Sequence, residues 1–156
     1  MYLWLKLIHV ISVIAFLGNI VTGLFWHAEA ARSRNPALLA FTMRGIIRSD
    51  RYFTIPGVVG IVLSGVATAM QGHLPIVGTR WILWTLILFA VSGIAFMFRV
   101  APLQRELLRM AESGTPPASF DYSRYHAVAR RWEMWGAIAL VTPLIGLVLM
   151  VLKPAL

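Results

Sequence analysis

The chain has 156 residues, 59% of them hydrophobic and 13% charged, and its mean hydropathy is +0.77. A soluble globular domain is about 45–50% apolar, so there is too little charge here to cover a soluble surface. The lack of cysteine excludes disulfides, iron–sulfur clusters and thiol chemistry, and the net charge of +8 reads first as membrane topology rather than nucleic-acid binding, because Lys and Arg collect on the cytoplasmic side.

The length suits a single domain, taken as residues 1–156. The first predicted element is a spanning helix over about 3–26. Between Lys6 and His27 lie twenty residues without formal charge, about what a helix rising 1.5 Å per residue needs to cross some 30 Å of hydrocarbon. This run is longer than the apolar part of a signal peptide, although Ala28-Glu29-Ala30 has the small-x-small form, so it is read as retained. Steps of three and four residues line up His9, Ser12, Phe16, Asn19 and Gly23 on one helix face. Polar side chains in a membrane turn toward protein, so this stripe should face the other helices.

Asn35-Pro36 then predicts a helix start, with Pro36 at the first position, where its missing N–H costs nothing. Leu38, Leu39, Phe41, Met43, Ile46 and Ile47 against Arg44 and Arg48 predict a short amphipathic helix lying on the membrane surface. A second span is predicted over 53–70, where Gly60 and Ser64 form a small-xxx-small pair that permits close helix approach or a homodimer. A short loop through His73, Pro75 and Gly78 leads to a third span over 81–100, whose pattern runs on as a charged helix from Leu103 to Met110. Ser113–Ser119, SGTPPAS, predicts a turn. The fourth span is predicted over 132–152, kinked at Thr142-Pro143 if a neighbour satisfies the freed carbonyl, and ended by Lys153-Pro154.

The expected fold is therefore all-α, a four-helix transmembrane bundle with a short amphipathic helix after the first span. The two long loops carry eleven of the fourteen cations, Arg32, Arg34, Arg44, Arg48 and Arg51 in one and Arg99, Arg105, Arg109, Arg124, Arg130 and Arg131 in the other. The positive-inside rule then puts both loops in the cytoplasm and both termini outside, in a cytoplasmic (inner) membrane. The six acids are interspersed with these cations and no nucleic-acid motif is present, so no nucleic-acid partner is expected.

Four histidines are the residues most open to chemistry. His9 and His27 share a helix face but lie roughly 27 Å apart along its axis, too far to bind one metal. No paired-histidine motif occurs and no carboxylate falls in the interior of a predicted span, Glu133 standing at the edge of the fourth, which speaks against a hard-metal site. His9 has two readings. It either hydrogen-bonds a neighbouring helix as part of the packing, or serves as an axial ligand to haem through a neutral imidazole nitrogen. Met70 and His73 are the second-ligand candidates on the same half, and any metal contact of His9 would run through haem iron. His27, His126, Arg130, Arg131, Trp132 and the Trp81–Trp84 pair read first as interfacial residues, with loop arginines holding porphyrin propionates as the alternative. The arginines of the first long loop would also suit anionic lipid.

The opening YLWLKLIHVISVIAF, with WHAEA about ten residues further on, resembles that of the HemJ-type protoporphyrinogen oxidases, small bacterial membrane proteins. Trp4, Lys6 and His9 match their W-x-K-x-x-H core, His27 matches the histidine after their first span, and the ending Val151-Leu152-Lys153-Pro154 is similar too. The resemblance implies b-type haem at His9. The family's Leu-Pro-Arg is replaced here by Ile20-Val21-Thr22-Gly23, and Trp81–Thr85 lacks its third-span lysine, so the oxidase activity is not implied. The chain as a whole resembles a family of predicted bacterial integral membrane proteins of unknown function.

Two functions follow as expectations. One is a haem protein of membrane redox or porphyrin chemistry, working with a porphyrin, a quinone or a membrane redox partner. The other is a cofactor-free bundle serving as a subunit, scaffold or transporter component. The sequence leaves open whether the protein is an enzyme.

Overall fold

The computed structural model describes residues 2–76, 78–114 and 120–154. Six helical segments build it: α1 (Tyr2–Arg32), α2 (Pro36–Ser49), α3 (Ile55–Gln71), α4 (Arg80–Ala95), α5 (Ala101–Ser113) and α6 (Tyr122–Leu152). Widened turns over Asp50–Thr54 and Phe96–Val100 join α2 to α3 and α4 to α5 without a break. Four rods result, each long and apolar enough to cross a membrane.

The cause of the widened turns is legible in the chain. Each ends just before a proline at a helix-interior position, Pro56 or Pro102. Proline has no N–H, and its ring crowds the carbonyl four residues back. The amides of Ile55 and Ala101 accordingly reach five residues back, to the carbonyls of Asp50 and Phe96. Such π-type turns are rare and cluster at functional positions.

The short amphipathic helix on the membrane surface is not there as a separate element. The segment predicted to lie on the bilayer is α2, the first fourteen residues of the second rod. Its start is as predicted: Asn35 caps it by accepting from the amides of Ala37 and Leu38. Its apolar stripe, Leu39, Ala40, Met43 and Ile46, is buried in the core with Leu107 and Ala111 of α5. An apolar stripe must be covered, and lipid or a neighbouring helix can cover it equally well. Here α5, the continuation of the third rod beyond its span, does so.

The buried members of the core, among them Met43, Leu107, Tyr125 and Trp132, sit toward the end bearing the α1–α2 and α5–α6 connections, hereafter the loop end. At the other end, hereafter the terminal end, Leu3, Trp4, Ile11, Ile14, Met70, Val151 and Leu152 are exposed, as lipid contact permits. A 31-residue rod such as α1 is about 46 Å long, against some 30 Å of hydrocarbon. The rods are therefore longer than the hydrocarbon core requires. Within the terminal half the closest packing is pairwise, α1 on α3 and α4 on α6. Phe16 and Phe89 bridge the pairs with ring centroids 5.7 Å apart.

Small residues set the α1–α3 approach. A Cβ at Gly57 would meet that of Phe16 at 3.1 Å, and one at Gly60 would collide with the Ser12 hydroxyl. In α6 the helix runs through Pro143. The Ala139 carbonyl, which Pro143 cannot serve, accepts from the Ser92 hydroxyl of α4 at 2.6 Å. The turn predicted at Ser113–Ser119 lies for the most part outside the described residues.

Candidate functional site

The predicted polar stripe of α1 does face protein, and it meets three different partners along its length. His9 lies against α3, its Nδ1 3.1 Å from the Ile61 carbonyl and 3.2 Å from Ser64 Oγ. A carbonyl only accepts, so Nδ1 carries a proton, and in the neutral ring Nε2 is then the bare nitrogen. Ser64 donates to Gly60 and so presents its oxygen to the same N–H. The ring rests on Gly65, where a Cβ would come within 3.1 Å of Cε1.

Among the described residues no hydrogen bond joins Met70 or His73 to His9, whose partners are Ile61 and Ser64. Met70 is exposed beyond Ser64 toward the terminal end, and His73 is exposed in the following loop at φ 51°. The loop arginines lie at the opposite end from His9. Lys6, Arg80 and Lys153 are the cations of the terminal end, and Lys153 lies over the Trp81 ring at 5.7 Å.

Just under one turn beyond Phe16, at Asn19, the stripe reaches a group that no predicted span contained. Asp50 is 7% exposed because the second rod begins at Pro36 and carries it into the bundle. Its Oδ1 accepts from Asn19 Nδ2 at 2.9 Å and from Thr54 Oγ1 at 2.7 Å. Its Oδ2 accepts from Gln104 Nε2 at 2.8 Å. Asn19 gives its second amide hydrogen to Thr54 at 2.9 Å. Three rods are thus tied to one carboxylate. Burying a carboxylate is costly unless donors replace its water, and here three do so without any cation. Beside this cluster is a cavity of about 20 Å³, lined by Asn19, Asp50, Gln104, Trp132 and small or apolar residues.

At the loop end His27 is fully buried rather than interfacial. Its Nε2 lies 3.1 Å from the Tyr125 hydroxyl, and its ring lies against Trp132 at 4.8 Å. Nδ1 is 3.6 Å from the half-exposed Glu133 carboxylate, too far for a direct bond. Trp132, read from the sequence as an interfacial anchor, is likewise buried, and its Nε1 has no partner among the described residues. The sequence could have pointed to Asp50 by one signal: the same helical phase carries Met43, Ile46, Ile47, Asp50, Thr54 and Gly57 in unbroken i+3 and i+4 steps.

As to haem, the donor chemistry fits at one point. His9 would supply an axial nitrogen oriented by a backbone carbonyl, the usual arrangement behind a metal-bound imidazole. The contact of Ser12 with Gly60 leaves no room for a porphyrin between α1 and α3 themselves. Among the described residues no group of three or more His, Cys, Asp or Glu is placed to hold a metal ion.

Four apolar rods with a polar seam define a polytopic integral membrane protein, in contact with the lipid bilayer. The chain belongs to the family described as predicted integral membrane protein (DUF2269), whose model matches residues 3–154. No curated protein and no solved structure matches it, so the likeness to protoporphyrinogen oxidases gains no support from these comparisons.

Proposed function

We propose that the protein binds b-type haem through His9 and serves redox or porphyrin chemistry in a bacterial cytoplasmic membrane. The observation that carries this reading is the Nδ1 hydrogen bond to Ile61, which fixes the ring and leaves Nε2 for iron. When bound, the haem would supply one-electron chemistry. The chain's own part is to hold and orient the imidazole through Ile61 and Ser64, against the flat surface of Gly65. The distribution of arginines supports an orientation with both long loops in the cytoplasm and both termini outside. A membrane electron carrier, a quinone or a second copy of the chain would be the partner.

A specific observation favours a second reading. His9 is already satisfied by α3, and its ring fills the space over Gly65. A cofactor-free bundle acting as a subunit, scaffold or transporter component would use His9 in this way.

The test is the absorption spectrum of detergent-purified protein expressed with ample haem supply, oxidised and dithionite-reduced. The haem reading expects a Soret band and sharpened reduced bands, lost in His9→Ala and kept in His73→Ala. A helical, folded wild type without a Soret band overturns it and leaves the cofactor-free reading.

A further inference from the structure

We propose that Asp50 is a proton-binding site inside the bundle, loaded through one water held in the cavity beside it. The proposal stands whether or not haem is bound.

Three observations carry it. The first is the kind of partner Asp50 has. Among the described residues no Lys or Arg makes an ion pair with it, in contrast to Glu112, which holds Arg44 at 2.7 Å. A cationic partner would fix the carboxylate as an anion. Asn19, Thr54 and Gln104 can each donate or accept, so they can satisfy Asp50 in either state. The second is the imbalance between its oxygens. Oδ1 accepts two hydrogen bonds and Oδ2 one, which marks Oδ2 as the atom with capacity for a proton. The third is the space. The 20 Å³ cavity has room for about one water. Trp132, in its wall, has a buried indole N–H with no partner among the described residues, and a water there would give it an acceptor.

The step balances simply. The cavity water passes a proton to Oδ2 as it receives one from solvent at the loop end, and the carboxylate becomes a carboxylic acid with no electrons moved. The Gln104 amide turns over, so that its Oε1 accepts from the new O–H where Nε2 donated before. The charged and titratable groups around the site leave this balance to Asp50. Arg51 on its own rod is exposed, and Arg99 is drawn over Trp135 at 5.5 Å. On α1 the neighbouring ionisable group is His27, two turns past Asn19, and it bonds Tyr125. Glu133 of α6 faces His27.

The chain has only two aspartates, Asp50 and Asp121. Asp121 is exposed and caps α6, a role that Asn fills equally well. Full-length Asp121→Asn protein, labelled with carbon-13 at the aspartate carboxyl and reconstituted in lipid, therefore reports on Asp50 alone with the site untouched. The expected result is a carboxyl resonance that moves with pH between the positions of the acid and the carboxylate, with a matching protonated-carboxyl band in the infrared. A resonance that stays constant over the whole pH range in which the helical circular dichroism is retained overturns the proposal and makes Asp50 a structural tie.

Discussion

The Ser92 hydroxyl donates to the carbonyl of Ala139 at 2.6 Å, and Ala139 is the residue whose helical partner Pro143 removed. A proline inside a spanning helix is tolerated where a neighbour takes over the orphaned acceptor. Ser92 is buried, so the pair is sealed from water. Ser92→Ala is expected to lower stability by about 1–3 kcal/mol, the cost of leaving a buried acceptor unmet. Pro143→Ala restores the amide, so the loss on Ser92→Ala should shrink toward zero in that background. Equilibrium unfolding of the four proteins in mixed micelles gives the coupling directly.

The approach of α1 to α3 depends on what Gly60 lacks. A methyl there runs into the Ser12 hydroxyl, while the same methyl at Gly18 or Gly93 meets nothing. Gly60→Ala should destabilise by about 1–3 kcal/mol, as overpacking does. Gly93→Ala should be neutral or slightly stabilising, because it adds helix propensity without a clash. Thermal unfolding followed by circular dichroism separates the two. Equal behaviour would mean that α1 and α3 are not held this closely.

His27 and Tyr125 join α1 to α6 at the loop end, both fully buried. Removing one partner strands the other, whereas removing both leaves apolar shapes in an apolar place. Tyr125→Phe and His27→Leu are each expected to cost about 1–3 kcal/mol, and the double variant less than the sum of the two. Additive losses in urea unfolding would show that the hydrogen bond contributes nothing of its own.

Much of the molecule is fixed by properties that are local in the chain. Runs of apolar residues about twenty long give four rods, because a backbone in lipid must satisfy its own hydrogen bonds. The start of α2 at Asn35-Pro36 is equally local, since the cap bonds residues two and three positions on. The inward stripe of α1 follows from helical periodicity alone. What the stripe meets is not local. Asn19 and Asp50 are 31 residues apart, and Asp50 and Gln104 are 54 apart. The helical phase from Met43 through Asp50 to Gly57 marks Asp50 as part of a helix face, but nothing in its neighbourhood tells which two helices that face packs between.

The amphipathic stripe of α2 shows the same division. Its periodicity determined that one face must be covered, but the hydrophobic effect does not distinguish lipid from Leu107 as the cover. Only the tertiary structure, by laying α5 along α2, decided that protein covers it and that a carboxylate is thereby drawn inside. His9 was legible as a polar residue facing a neighbour helix. That its Nδ1 meets the Ile61 carbonyl, leaving Nε2 bare, depends on how closely Gly60 and Gly65 let α3 approach, a distance that sequence periodicity does not contain.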